Sequence, residues 1–267
     1  MSIATWLRER EIAFKNTFSV RDVQSEFSSL SPQVIHNELN RLTRQRVILP
    51  VYRGFYVKLP AHYIAAGMTP PDFYIDQLMA YLGKPYYVGL LSAGELHGAA
   101  HQRPQRYSVF TEFPAARTSK KRNPYLDWHF RKSIPESLLQ RINSETGTIR
   151  YSNPELTALD LVQYPQFSGG LSNVATVLTE LQEKIDFSKV NETFFQVGTA
   201  MAYQRLGFIL EETLGNARQS DILHARLKEH GWNFRWTNLE KGLHLQILAS
   251  NNHWHVYINN ELEVDDL

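Results

Sequence analysis

The feature that most limits how this chain can fold is the start of its third helical segment, Ser31-Pro32. A serine N-cap accepts a hydrogen bond from an otherwise orphaned amide, and proline at the first helical position gives up an N–H that had no partner there. The pair predicts a helix running to about Arg46. Upstream, Ile3, Trp6 and Leu7 at helical spacing predict a first helix over about residues 2–13. Ser19 with Asp22 three positions on makes a capping-box start for a short second helix, with Val20, Val23 and Phe27 as its stripe. Downstream, residues 47–51 and 55–59 read as two strands joined by a turn at Tyr52-Arg53-Gly54. Three helices and a hairpin within sixty residues is the order of a winged helix-turn-helix.

In the third helix Val34, Ile35, Leu39 and Leu42 are expected to form the apolar face, leaving Gln33, His36, Asn37, Asn40, Arg41 and Arg44 on the other. A merely solvated helix usually exposes Glu and Lys. Amides and arginines instead match the donor and acceptor patterns of adenine and guanine edges and grip phosphates beside them. These six side chains are therefore candidate DNA contacts, joined by Arg53 at the hairpin tip and Lys58 on its second strand as candidate phosphate contacts. The plainer alternative is a small helical subdomain without a ligand.

The formal net charge of +1 seems at first to argue against a polyanionic partner, but it is a mean over two unlike halves. Residues 1–135 carry 18 Lys and Arg against 10 Asp and Glu, whereas residues 136–267 carry 10 against 17. The halves are thus +8 and −7, an asymmetry that fits a nucleic-acid-facing part joined to a part with another task.

Residues 61–85 read as a connector with a helix ending at Gly83-Lys84-Pro85. Strands are expected at 86–88, 106–113 and 125–130, the last with Trp128 and Phe130 on one side and Asp127 and His129 on the other. Helices are expected at 90–98, from Asn153-Pro154, and at about 171–184, 189–215 and 219–230, the last with Ile222, Leu223 and Leu227 inward. Residues 243–248 and 253–258 alternate like a hairpin around Asn251-Asn252. Between two of the strands Arg117, Lys120, Lys121 and Arg122 form a basic run, read either as a solvated loop or as a contact for an acidic partner or nucleic acid. The expected fold class is α+β, with a winged helix-turn-helix over 1–60, a connector helix over 61–85 and a mixed α/β domain over 86–267.

Catalytic readings find little support. The chain has no cysteine, which excludes thiol catalysis, disulfides and thiolate-ligated metals. His97 and His101 stand four apart, but the glutamate that a zincin needs after its first histidine is absent, and a packed or capping role is favoured. His253 and His255 would share a strand face, with Trp254 on the other, and lack an evident third ligand. Glu112 and Asp127, with Lys120 and Lys121, could imitate a metal-dependent nuclease only if the carboxylates converged. No phosphate-cradling loop and no nucleophile elbow occurs, so no catalytic residue, metal or cofactor is expected. No apolar run reaches membrane-spanning length and no signal-peptide core follows the N-terminus, so a cytoplasmic location is expected.

Several segments in order carry a resemblance to a known family. They are Tyr52-Arg53-Gly54-Phe55-Tyr56-Val57, Leu91-Ser92-Ala93-Gly94-Glu95-Leu96-His97-Gly98 with Gln102-Arg103-Pro104, Tyr107-Ser108-Val109-Phe110-Thr111, residues 152–162 with the Gly169-Gly170-Leu171 break, and residues 203–211. Together they resemble the AbiEi antitoxins of bacterial abortive-infection toxin–antitoxin systems, which act in phage defence. The resemblance implies an N-terminal domain that binds inverted repeats in operator DNA and represses the antitoxin–toxin operon. It also implies a C-terminal antitoxin domain that counters a nucleotidyltransferase-like toxin, by direct contact or indirectly. The alternative is a winged-helix regulator whose C-terminal domain binds a ligand or protein, with no toxin partner.

Overall fold

The computed structural model describes residues 1–13, 15–65, 67–99, 104–114, 125–241 and 246–264. The chain packs as two compact units, one of Met1–Tyr87, Val109–Ile134 and Arg141–Arg150, the other of Val88–Ser108, Pro135–Gln140 and Tyr151–Leu267.

The first unit opens with α1 (Ile3–Ile12), β1 (Thr17–Ser19), α2 (Val20–Glu26), α3 (Pro32–Arg44), β2 (Ile48–Tyr52) and β3 (Phe55–Lys58). The strands form an antiparallel sheet in the order β1-β3-β2, completing a winged-helix arrangement. The predicted caps are in place. Ser19 and Asp22 form a reciprocal capping box on α2, and Ser31 accepts from the Val34 amide at the start of α3. A core of Trp6, Phe18, Val23, Phe27, Ile35, Leu39 and Ile48 closes the three helices over the sheet. Trp6 meets both Phe18 and Phe27 edge-to-face, the arrangement that aromatic quadrupoles favour. The strand β1 was not foreseen, because its register comes from β3, nearly forty residues away in sequence.

Val34 departs from expectation, being 49% exposed while Ile35, Leu39 and Leu42 are buried. The latter three follow i, i+4, i+7 spacing, and a residue one position off that stripe is turned about 100° away from it. Helix α4 (Ile75–Leu82) follows, stopped by Gly83 in the left-handed conformation.

Strands β4 (Tyr86–Val88), β5 (Tyr107–Glu112), β6 (Leu126–Arg131), β7 (Leu139–Ser144) and β8 (Gly147–Ser152) form one sheet in the order β6-β5-β4-β8-β7, with β4 and β8 parallel. The two-sided division foreseen for β6 is present, and the side carrying His129 is the more deeply covered. Leu126, His129 and Arg131 are buried, whereas Trp128 and Phe130 are only partly so. His129 packs on Phe110, and the Arg131 guanidinium lies over Phe110 and Tyr87, so aromatic faces accept the polar side of the strand.

The second unit is built around α6 (Pro154–Gln163), in which every residue from Pro154 to Val162 is buried. A helix covered on nearly all sides sits inside others, its buried Glu155, Thr157 and Asp160 included. Around it pack α5 (Leu90–Leu96), α7 (Gly170–Leu181) and α9 (Ala200–Phe208), with the short α8 (Phe194–Val197) before α9. Where one helix was expected over 189–215, the chain breaks at Gly198-Thr199, restarts with Thr199 as N-cap, and continues from α9 into a π-helical turn at Ile209–Thr213. Helix α10 (Ala217–Glu229) buries Leu223 and Leu227, with Ile222 partly covered. A small sheet, β9 (Thr237–Asn238), β10 (Ala249–Asn251) and β11 (Val256–Ile258), closes the unit in the order β10-β11-β9.

Candidate functional site

Because Ile35, Leu39 and Leu42 hold α3 to the core, the opposite face is exposed, and Gln33, His36, Asn37, Asn40, Arg41 and Arg44 all lie on it. Asn37, Asn40, Arg41, Arg44 and Gln45 line one shallow depression of about 450 Å³. Gln33 Nε2 donates to Asn37 Oδ1 at 3.0 Å, pre-ordering two amides one turn apart. Arg41 is anchored on both flanks. Its Nε and Nη2 donate to the Glu38 carboxylate at 2.8 and 2.6 Å, and its Nη1 donates to Gln45 Oε1 at 2.9 Å. Hydrogen bonding from Arg41 holds the Glu38 carboxyl below the usual carboxylate range. Glu38 was not singled out in the sequence, although its i, i+3 spacing to Arg41 is the signal that could have found it.

Arg53 is exposed at the tip of the β2–β3 turn, where Gly54 adopts φ +74. That left-handed backbone is reached without strain by glycine. The turn is tied back by the Gly54 carbonyl, which accepts from the Val20 amide at 2.9 Å, and by the Arg53 carbonyl, which accepts from the Tyr81 hydroxyl at 3.3 Å. Lys58 stands apart from the other candidates. It is 9% exposed, with Nζ 2.9 Å from Glu11 Oε2 and donating to the Leu59 carbonyl at 3.2 Å. Alternation places it on the Tyr56 side of β3, opposite Phe55 and Val57, and there the Glu11 carboxylate of α1 covers its ammonium, which ties α1 to the sheet. The basic run Arg117, Lys120, Lys121 and Arg122 lies outside the described residues.

In the second unit the histidines have packing roles. Buried His97 donates from Nε2 to the Ser152 carbonyl at 2.8 Å, its ring lies against Tyr151, and its own carbonyl accepts from Lys184 Nζ. Burial pushes its pKa below the ordinary histidine value. His101 lies outside the described residues.

His253 and His255 do not share a strand face. Both lie in the turn before β11, and His255 has φ +53. His253 Nδ1 is 2.7 Å from Glu211 Oε2, whereas His255 packs on Trp236. Between them Trp254 is fully buried, donating from Nε1 to Glu211 Oε2 at 3.0 Å and to Ser220 Oγ at 2.9 Å. Burial alone would raise the Glu211 carboxyl, but the hydrogen bonds from His253, Ser220 and Trp254 outweigh it and hold the group below its usual range. Glu112 accepts from the Ile134 amide at 3.0 Å, a local strand-end role, and no group of three metal-ligating side chains occurs among the described residues. No helix among those residues is long and apolar enough to cross a membrane.

The architecture as a whole is similar to that in the crystal structure of the RV2827C protein from Mycobacterium tuberculosis. The TM-score is 0.70 at 13% identity, over 95% of this chain and 89% of that one. At that identity the likeness shows a shared fold and nothing more. Residues 87–212, from β4 into the π-helical turn, match the family model described as the AbiEi antitoxin C-terminal domain. Over that segment the chain carries the likeness of an AbiEi antitoxin C-terminal domain. No curated protein matches it.

Proposed function

We propose that this chain is an antitoxin that also represses its own operon, using its winged helix to bind operator DNA and its second unit to counter a nucleotidyltransferase-like toxin. The observation that carries the DNA reading is the outward face of α3, where Asn37, Asn40, Arg41 and Arg44 flank one depression and Gln33 orders the Asn37 amide. Bidentate arginine suits guanine edges or phosphates, amides suit adenine, and exposed Val34 beside them supplies an apolar contact of the kind a thymine methyl takes. Arg53 on the wing is spaced to reach the flanking backbone. The antitoxin reading rests on the family match, and the acidic half of the chain suits a division of labour with the basic, DNA-facing half.

The test is co-expression of the full chain with the product of the adjacent reading frame, scoring growth. Relief of growth arrest supports the antitoxin pairing. An adjacent product that is harmless, or arrest that the full chain leaves unchanged, favours a regulator with no toxin partner.

A further inference from the structure

Within the second unit, a cleft of about 510 Å³ opens between the end of α6, the start of α7 and the start of α9, with Glu240 and Lys241 at its edge. Its inner wall holds Arg205, 4% exposed, whose Nη2 donates to the Asn238 carbonyl at 3.0 Å while its Nε has no hydrogen-bond partner. A buried guanidinium donor left unmatched costs free energy that a native fold normally avoids. No carboxylate lies within ion-pair distance of it among the described residues. Glu240 acts on it only through the longer-range field, and burial pushes its pKa down.

A second, independent feature faces the same space. Gly170 and Leu171, the first residues of the twelve-residue α7, line the cleft, and no side chain caps that helix. Uncapped first-turn amides and the positive end of the helix dipole favour an anion. Gly170 has φ +91, and a Cβ there would meet nothing within 4 Å, so the approach is open. The remaining wall is largely apolar, with Leu171 and Met201 contributing. The charged lining is Arg205 and Lys241 against Glu240, a net excess of one positive charge.

We propose that this cleft binds a small organic oxyanion, a carboxylate or phosphate carried on an apolar body. The Arg205 guanidinium, Lys241 and the α7 amides hold the charged end, and Leu171 and Met201 seat the body. Such a ligand gives the antitoxin domain a small-molecule input separate from the α3 face.

The test is titration of the full chain with phenyl phosphate, with benzoate and, as the uncharged control, with benzyl alcohol, following the backbone amide resonances of Gly170, Leu171 and Lys241. Saturable shifts are expected from at least one anion and none from benzyl alcohol, and the anion that saturates identifies the headgroup. Affinity is expected to fall about tenfold in Arg205→Gln, the size of a lost charge-assisted hydrogen bond. Absence of saturable shifts with both anions, equal shifts from benzyl alcohol, or unchanged affinity in a folded Arg205→Gln overturns the proposal. Should Arg205→Gln lose the native circular dichroism spectrum, Met201→Trp fills the cleft from a half-buried position. Shifts that persist in that variant overturn the proposal equally.

Discussion

Arg41 grips Glu38 through two donors on the outward face of α3, so one arginine of the proposed DNA-binding face is already occupied in the free protein. A phosphate or guanine must displace the carboxylate before it can take the same fork. On the proposed reading Glu38 lowers operator affinity while fixing the direction of the guanidinium.

It follows that Glu38→Gln strengthens binding to operator DNA. Exposed ion pairs contribute little, so the expected gain is roughly two- to fivefold in Kd at low salt. Fluorescence anisotropy with labelled upstream DNA checks it, and weakened binding would mean that the pair is needed to orient Arg41.

Lys58 is predicted to behave as a structural residue. Lys58→Met removes the contact to Glu11 and leaves an unpaired carboxylate near α1. The expected outcome is a lower Tm with operator affinity of the folded fraction unchanged, read by thermal denaturation alongside anisotropy. A normal Tm with weaker DNA binding would restore Lys58 to the interface.

Gly207 is where α9 meets buried Trp254, and a Cβ at that position would lie 2.0 Å from the indole. Neither backbone helix nor buried ring can yield cheaply. Gly207→Ala is expected to cost about 3 kcal/mol, the upper range for overpacking, and to disturb the near-ultraviolet signal of Trp254. Chemical denaturation measures the cost, and a loss below about 1 kcal/mol would show that the ring can move aside.

Stability should depend on pH through His97 and His224, both held below the ordinary histidine value of 6.5 chiefly by burial. Near that pH the unfolded chain binds these protons while the folded protein resists them. Their contribution is therefore complete above 6.5 and is lost as pH falls towards the folded values. Tm is expected to drop between about pH 7.5 and about pH 5.5, with a shallower drop in His97→Gln. A Tm that rises or stays level over that interval contradicts the assignment.

The helices that could be read from sequence are those where a cap and a stripe coincide, as at Ser19 and Asp22, Ser31-Pro32 and Asn153-Pro154. β1 and β7 escaped for physical reasons. β1 has only three residues and borrows its register from β3, and β7 is exposed along most of its length, so no alternation marks it. Residue type and helical period were enough to select the outward side chains of α3, but they could not tell that Glu11 covers Lys58 or that Glu38 holds Arg41. The same limit applies to Arg205, whose neighbours come from α6, α7 and residues 238–241 and meet only in three dimensions.

The central claim is that α3 holds operator DNA, and the salt dependence of binding tests it most directly. The full chain and its Arg41→Ala/Arg44→Ala variant are titrated with DNA from upstream of the gene across a range of salt concentrations. If these arginines neutralise phosphates, the variant binds more weakly at every salt and the slope of log K against log salt becomes shallower by about 2. Equal affinity and an unchanged slope would contradict the account.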